Sequence, residues 1–187
     1  MTGVTPIDPG AVARVLIVRT DKIGDLLVST PAIRCIREAL PSARITMVAS
    51  KYNAPVMANS PRIDELLVFN PSWSLPRKLR FWRSVRARRF DLAVGLAPIT
   101  STYVVVLASG APVRAGMVYS DRPVPYLFSP LVMTHRHVPD HTAEVPHEAR
   151  RMLSMLELLG LPTREHPQEV IPDHADLHSA RKILGYE

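Results

Sequence analysis

The chain has a single cysteine, Cys35, among its 187 residues. A disulfide framework within the chain is therefore excluded. The first ten residues, MTGVTPIDPG, lack the charged-then-apolar order of an export signal. With the lone thiol, this points to a cytoplasmic, reducing setting. Glycine is also scarce, with eight in all. Neither the G-x-G-x-x-G of a dinucleotide site nor the G-K-[ST] of a P-loop occurs. Internal repeats and low-complexity tracts are missing as well.

What is present is ordinary globular material. Hydrophobic residues make up 47% and charged residues 21%, which excludes a disordered chain. Lys and Arg number 23 against 17 Asp and Glu, for a net charge of +6. That excess favours an anionic partner: a phosphate-bearing ligand, a nucleic acid or an acidic membrane surface. Leu92 to Val113 runs 22 residues without a charge, long enough to span a bilayer. Gly95, Pro98, Ser101, Ser109, Gly110 and Pro112 interrupt it. It reads better as a buried strand, a turn, a buried helix and another turn.

Val15-Leu16-Ile17-Val18 fits a strand buried on both faces. A helix is expected from near Gly24, either kinked or split at Thr30-Pro31, and stopped by Pro41. Further strands are expected at residues 44–50, 65–69, 91–96 and 113–117. Helices are expected at residues 52–58, 100–109 and 148–159, and around Leu79, Trp82 and Val85. This alternation predicts βαβ units around a parallel sheet. Residues 120–145, rich in proline and histidine, read as an irregular crossover. Residues 163–187 read as a strand fragment and a helix without a domain of their own.

The turn in RTDKIGDLL follows the first strand. In a doubly wound sheet that is the mouth of a ligand site. Position alone leaves two roles open for Asp25. It can stabilise the helix N-terminus, or it can face a ligand.

The stretch RVLIVRTDKIGDLLVSTPAIRCIREALPSARITMVAS resembles the N-terminus of the heptosyltransferase-type glycosyltransferases, family 9. The likeness is carried by Gly24-Asp25 and Pro31-Ala32. It continues in NSPRIDELLVFN, FDLAVGL, GAPVRAGM and HEARRMLSMLELLGLP, in the family's order. The resemblance implies an α/β fold, a Rossmann-like parallel sheet with flanking helices, as the N-terminal half of a GT-B enzyme. It implies inverting, metal-independent sugar transfer from a nucleotide donor such as ADP-heptose to a lipopolysaccharide inner-core acceptor. No cofactor is implied.

In that reading residues 1–13 are a flexible N-terminus and 14–162 an acceptor-binding domain. Residues 163–187 are an interdomain linker, or the start of a donor-binding domain otherwise absent. Asp25 matches the family's proposed general base. Lys22, Gly24, Arg77, Lys78, Arg80, Arg122 and His147 are the expected acceptor contacts. Gly24 is expected to let the chain turn tightly beside the acceptor. Ala97-Pro98 departs from the acidic or glutamine-containing turn common in the family. Because the family's members run to well over 300 residues and carry a donor-binding domain after this half, the chain alone is expected to be inactive. The expected localisation is cytoplasmic, with peripheral contact to the inner membrane.

Other residues keep alternative readings. RKLRFWRSVRARR (Arg77 to Arg89) holds seven basic residues in thirteen positions. It is a solvated helix face with Trp82 inward, or an anion site. His135, His137, Asp140 and His141 offer zinc-ligand chemistry, but at no common spacing, and no metal site is expected. Two further functions stay open: a non-catalytic module for an anionic glycolipid or phosphate, and nucleic-acid binding through the basic helix, the less favoured reading.

Overall fold

The four residues Val15 to Val18 are fully buried, and their strand, β1 (Arg14–Arg19), lies inside the sheet. In the computed structural model, which describes residues 6–121, 123–139 and 148–185, β1 pairs in parallel with neighbours on both edges. Those neighbours are β2 (Arg44–Ser50) and β4 (Leu92–Gly95). Outside them lie β3 (Glu65–Phe69), β5 (Val113–Met117) and β6 (His135–His137). The strand order is β3-β2-β1-β4-β5-β6, with every pairing parallel. Side chains alternate across β1. Val15 and Ile17 enter one core and Leu16 and Val18 the other, so both faces must be covered.

The first core is closed by α1 (Ile23–Ala39) and α5 (Glu148–Leu158). The second is closed by α2 (Leu75–Arg86), α3 (Thr100–Ser109) and α4 (Pro123–Val132). The last helix is α6 (His174–Leu184). The uncharged run after Leu92 divides into β4, α3 and the start of β5. Gly110 ends α3 in the left-handed conformation, at φ 64°. Among the described residues, no helix is long and apolar enough to cross a membrane.

One open alternative is decided and two expectations change. First, of the two alternatives for the first helix, one kinked helix or two pieces, the chain forms a single helix, α1, through Pro31. Pro31 has no amide to give the Leu27 carbonyl, and the Thr30 hydroxyl donates to it instead at 2.8 Å. Second, within the stretch expected to be irregular, residues 123–132 form α4 and residues 135–137 form β6. The prolines hid the helix, and the sequence HRH shows none of the apolar alternation of a half-buried strand. Third, residues 163–173 form no strand.

That last segment instead packs along α1. The Glu169 amide donates to Thr30 Oγ1 at 2.9 Å, and Cys35 Sγ donates to the Arg164 carbonyl at 3.3 Å. Burial pushes the Cys35 thiol up, more than the Arg164 amide lowers it.

Candidate active site

The strand order reverses between β1 and β4, and a cleft of about 480 Å³ opens at their carboxyl ends. One wall is the β1–α1 turn, contributing Arg19, Asp21, Lys22 and Asp25. Pro98 and Ile99 form the floor after β4. Tyr119 and Asp121 follow β5, and Glu148 and Arg151 project from the first turn of α5.

The turn is held by buried polar groups. Arg19 is 2% exposed. Its Nε donates to Asp21 Oδ1 at 2.8 Å and another guanidinium nitrogen to the Leu96 carbonyl. Its third nitrogen lies 3.9 Å from Asp25 Oδ1. Asn53, fully buried, donates to the carbonyls of Arg19 and Asp21, both at 3.2 Å. The Asn53 side-chain oxygen accepts from the Ser50 amide at 2.8 Å. The turn is thus clamped from the loop after β2, and its Arg19 and Asp21 carbonyls are satisfied without glycine-rich backbone.

Two carboxylates result, differently exposed. Burial pushes the Asp21 carboxyl up from 3.8, although Arg19 pulls it down and Asp25 adds to the rise. Its side chain is 17% exposed, whereas that of Asp25 is 45% exposed. Asp25 stands in the first turn of α1, whose N-cap Lys22 makes no side-chain capping bond. The opposite wall is a second polar cluster. Tyr119 Oη donates to Glu148 Oε2 at 3.0 Å, and Arg151 Nη1 donates to Tyr119 Oη at 3.4 Å. Arg151 Nε is buried and finds no partner among the described residues.

Of the residues expected from sequence, the cleft gathers Lys22 and Asp25. Gly24 lies between them in α1, without a left-handed φ, and a Cβ there would meet nothing within 4 Å. The tight turn expected of Gly24 is therefore not there. Arg77, Lys78 and Arg80 stand on α2 and do not line the cleft. The Arg77 guanidinium lies 4.2 Å from the Trp73 ring centroid, and Trp82 packs inward as expected. Arg122 and His147 lie outside the described residues, as do Asp140 and His141. Among the described residues, no group of three or more His, Cys, Asp or Glu is placed to hold a metal ion.

Sequence reasoning passed over Arg19, Asp21, Tyr119, Asp121, Glu148 and Arg151. One signal was available. A charged residue ends a four-residue apolar run in a strand read as buried, so Arg19 had to carry a buried charge and a partner.

No family model matches the chain. Lipopolysaccharide heptosyltransferase 3 of Escherichia coli is 25% identical over 143 residues, covering 74% of this chain and 40% of that protein. A putative glycosyltransferase of Haemophilus influenzae is 24% identical over 78 residues, 42% of this chain and 22% of its own. Among solved structures, a family 9 glycosyl transferase from Veillonella parvula matches with TM-score 0.79 and 23% identity, over 98% of this chain and 52% of its own. The ADP-heptose heptosyltransferase II of Escherichia coli matches with TM-score 0.69 and 18% identity, over 91% of this chain and 50% of its own. The chain thus spans about half the length of these structures, or less than half of the sequence relatives.

Proposed function

We propose, from the premise that this chain is related to glycosyltransferase family 9, that it is the acceptor-side half of an inverting heptosyltransferase. The names of the Escherichia coli relatives support ADP-heptose as donor and lipopolysaccharide as acceptor. One observation carries the reading. A half-exposed carboxylate, Asp25, stands at the strand-order reversal beside the buried guanidinium of Arg19.

Asp25 acts as general base in this scheme. It takes the proton of one acceptor hydroxyl while that oxygen attacks the anomeric carbon. The bond from that carbon to the nucleotide diphosphate breaks on the opposite side, which inverts the centre. Arg19, 3.9 Å from Asp25 Oδ1, positions that carboxylate toward the cleft. The hydroxyl proton becomes acidic as the acceptor oxygen bonds to the anomeric carbon, and Asp25 takes it up as that bond forms. Lys22 and Arg151 supply positive charge for an anionic acceptor. The reaction is read as metal-independent, as the family resemblance implies.

The donor site is assigned to a second Rossmann-like half, so the chain alone binds acceptor without turning over nucleotide sugar. Calorimetric titration with a Kdo-lipid A acceptor tests the first claim. Saturable binding that survives Asp25→Asn and weakens in Arg151→Ala is expected. No binding would sink the acceptor-side assignment. Release of ADP from ADP-heptose by the isolated chain would sink the division of labour.

A further inference from the structure

The helix α4 is built inside out. Its serine, Ser129, is fully buried, while Leu127 is 71% and Leu131 73% exposed. Tyr126, Phe128 and Pro130 are exposed as well. Ser129 is satisfied in the interior. Its hydroxyl donates to the Tyr126 carbonyl at 2.7 Å and accepts from Arg136 at 3.4 Å. The sequence of α4, PVPYLFSPLV, contains no charge. A helix packed only against its own domain would turn Leu127 and Leu131 inward, four residues apart on one face. Here that face, with an aromatic pair beside it, meets solvent.

The surroundings say what covers it. On this side of the sheet α2 packs against α3 and α3 against α4, forming one layer. α2 carries Arg77, Lys78, Arg80, Arg83 and Arg86. None of the three helices has an acidic residue. Leu75 and Leu79 on α2 and Leu107 on α3 add exposed apolar surface. Apolar side chains beside unopposed positive charge are the two attractions an interfacial helix uses on an anionic bilayer. A second copy of this chain is a poor occupant, because it would bring two basic α2 helices together.

We propose that α4 lies in the interface of an anionic membrane. Leu127, Phe128 and Leu131 enter the headgroup–acyl boundary, and α2 holds the lipid charge. Asp121, at the cleft rim, is two residues from the start of α4. Resting on the function proposed above, this would bring the cleft to the surface that presents a lipid-linked acceptor. The membrane contact itself requires no acceptor.

Sedimentation of the chain with vesicles tests it. Pure phosphatidylcholine vesicles are compared with vesicles also containing phosphatidylglycerol. The chain is expected to pellet with the anionic vesicles, and less so as salt rises. Leu127→Glu with Leu131→Glu should weaken binding at least roughly tenfold, with an unchanged circular dichroism spectrum and melting midpoint. Arg80→Glu with Arg83→Glu should abolish the preference for anionic lipid. Asp25→Asn should bind vesicles as the parent does, so failure of the catalytic reading leaves this one standing. Absence of vesicle binding at low salt overturns the proposal. So does a Leu127/Leu131 variant that pellets like the parent. A concentration-dependent dimer that these two substitutions abolish, without vesicle binding, would make the face a protein interface instead.

Discussion

The hydroxyl of Thr30 donates to the carbonyl of Leu27 at 2.8 Å, the carbonyl that Pro31 leaves without an amide. The same oxygen accepts the Glu169 amide at 2.9 Å, so one side chain mends the helix and fastens the chain's last segment to it. Thr30→Val keeps the shape and removes both bonds. It should cost about 1–3 kcal/mol in urea unfolding, because a part-buried carbonyl and a part-buried amide lose their partner. Pro31→Ala restores the missing amide. In that background Thr30→Val should cost less, and strictly additive losses would contradict the repair.

Arg19 is the second such node. Arg19→Met leaves Asp21 half-buried without its counter-charge and the Leu96 carbonyl without that donor. A loss of about 3 kcal/mol is expected, as for other broken buried pairs. Asp21→Asn added to Arg19→Met should recover part of it, because the remaining amide is neutral. Equilibrium unfolding of the single and double variants measures this.

The sheet was legible because β1, β2, β3 and β4 are short apolar or β-branched runs bounded by turn residues. Their ends follow from the charges and prolines around them. The sequence left α1 open between one helix and two. A proline inside a helix is judged by its neighbours' side chains, and only the folded chain puts Thr30 Oγ1 on the Leu27 carbonyl. β6 escaped because an edge strand of three residues needs no apolar pattern. At the site, Asp25 and Lys22 could be read from the turn that carries them. Tyr119, Glu148 and Arg151 could not, since the fold alone brings the end of β5 and the start of α5 to the β1–α1 turn.

The opposite edge of the sheet yields a pH prediction. Glu65 Oε1 accepts from Arg88 Nη2 at 2.6 Å, and this bond, against a smaller effect of burial, holds the Glu65 carboxyl below its ordinary 4.5. A carboxyl lowered in the folded state stabilises above its unfolded pKa, and that stability is lost as pH falls through the folded value. Glu65→Gln should therefore cost about 1 kcal/mol near neutrality, given the pair's partial exposure. The gap from the parent should close as pH falls below about 4.5. A gap that stays constant with pH would assign the loss to packing.

The two aspartates of the turn separate by experiment. Asp21 is engaged and half-buried, and Asp25 is open to the cleft. If Asp25 is the base, Asp25→Asn should leave the melting midpoint nearly unchanged, since an exposed first-turn carboxylate contributes only about 0.5 kcal/mol. With the donor-side half supplied, transfer should fall by roughly 10²–10⁴-fold, the usual worth of a general base. Acceptor affinity should stay as it was. Asp21→Asn should behave oppositely, lowering stability and slowing transfer mildly through Arg19. Asp21→Glu should restore part of both if Asp21 works by holding the guanidinium. Should Asp21→Asn remove transfer while Asp25→Asn retains it, the base is Asp21. Its raised pKa would then make transfer fall off at a higher pH than an ordinary aspartate allows.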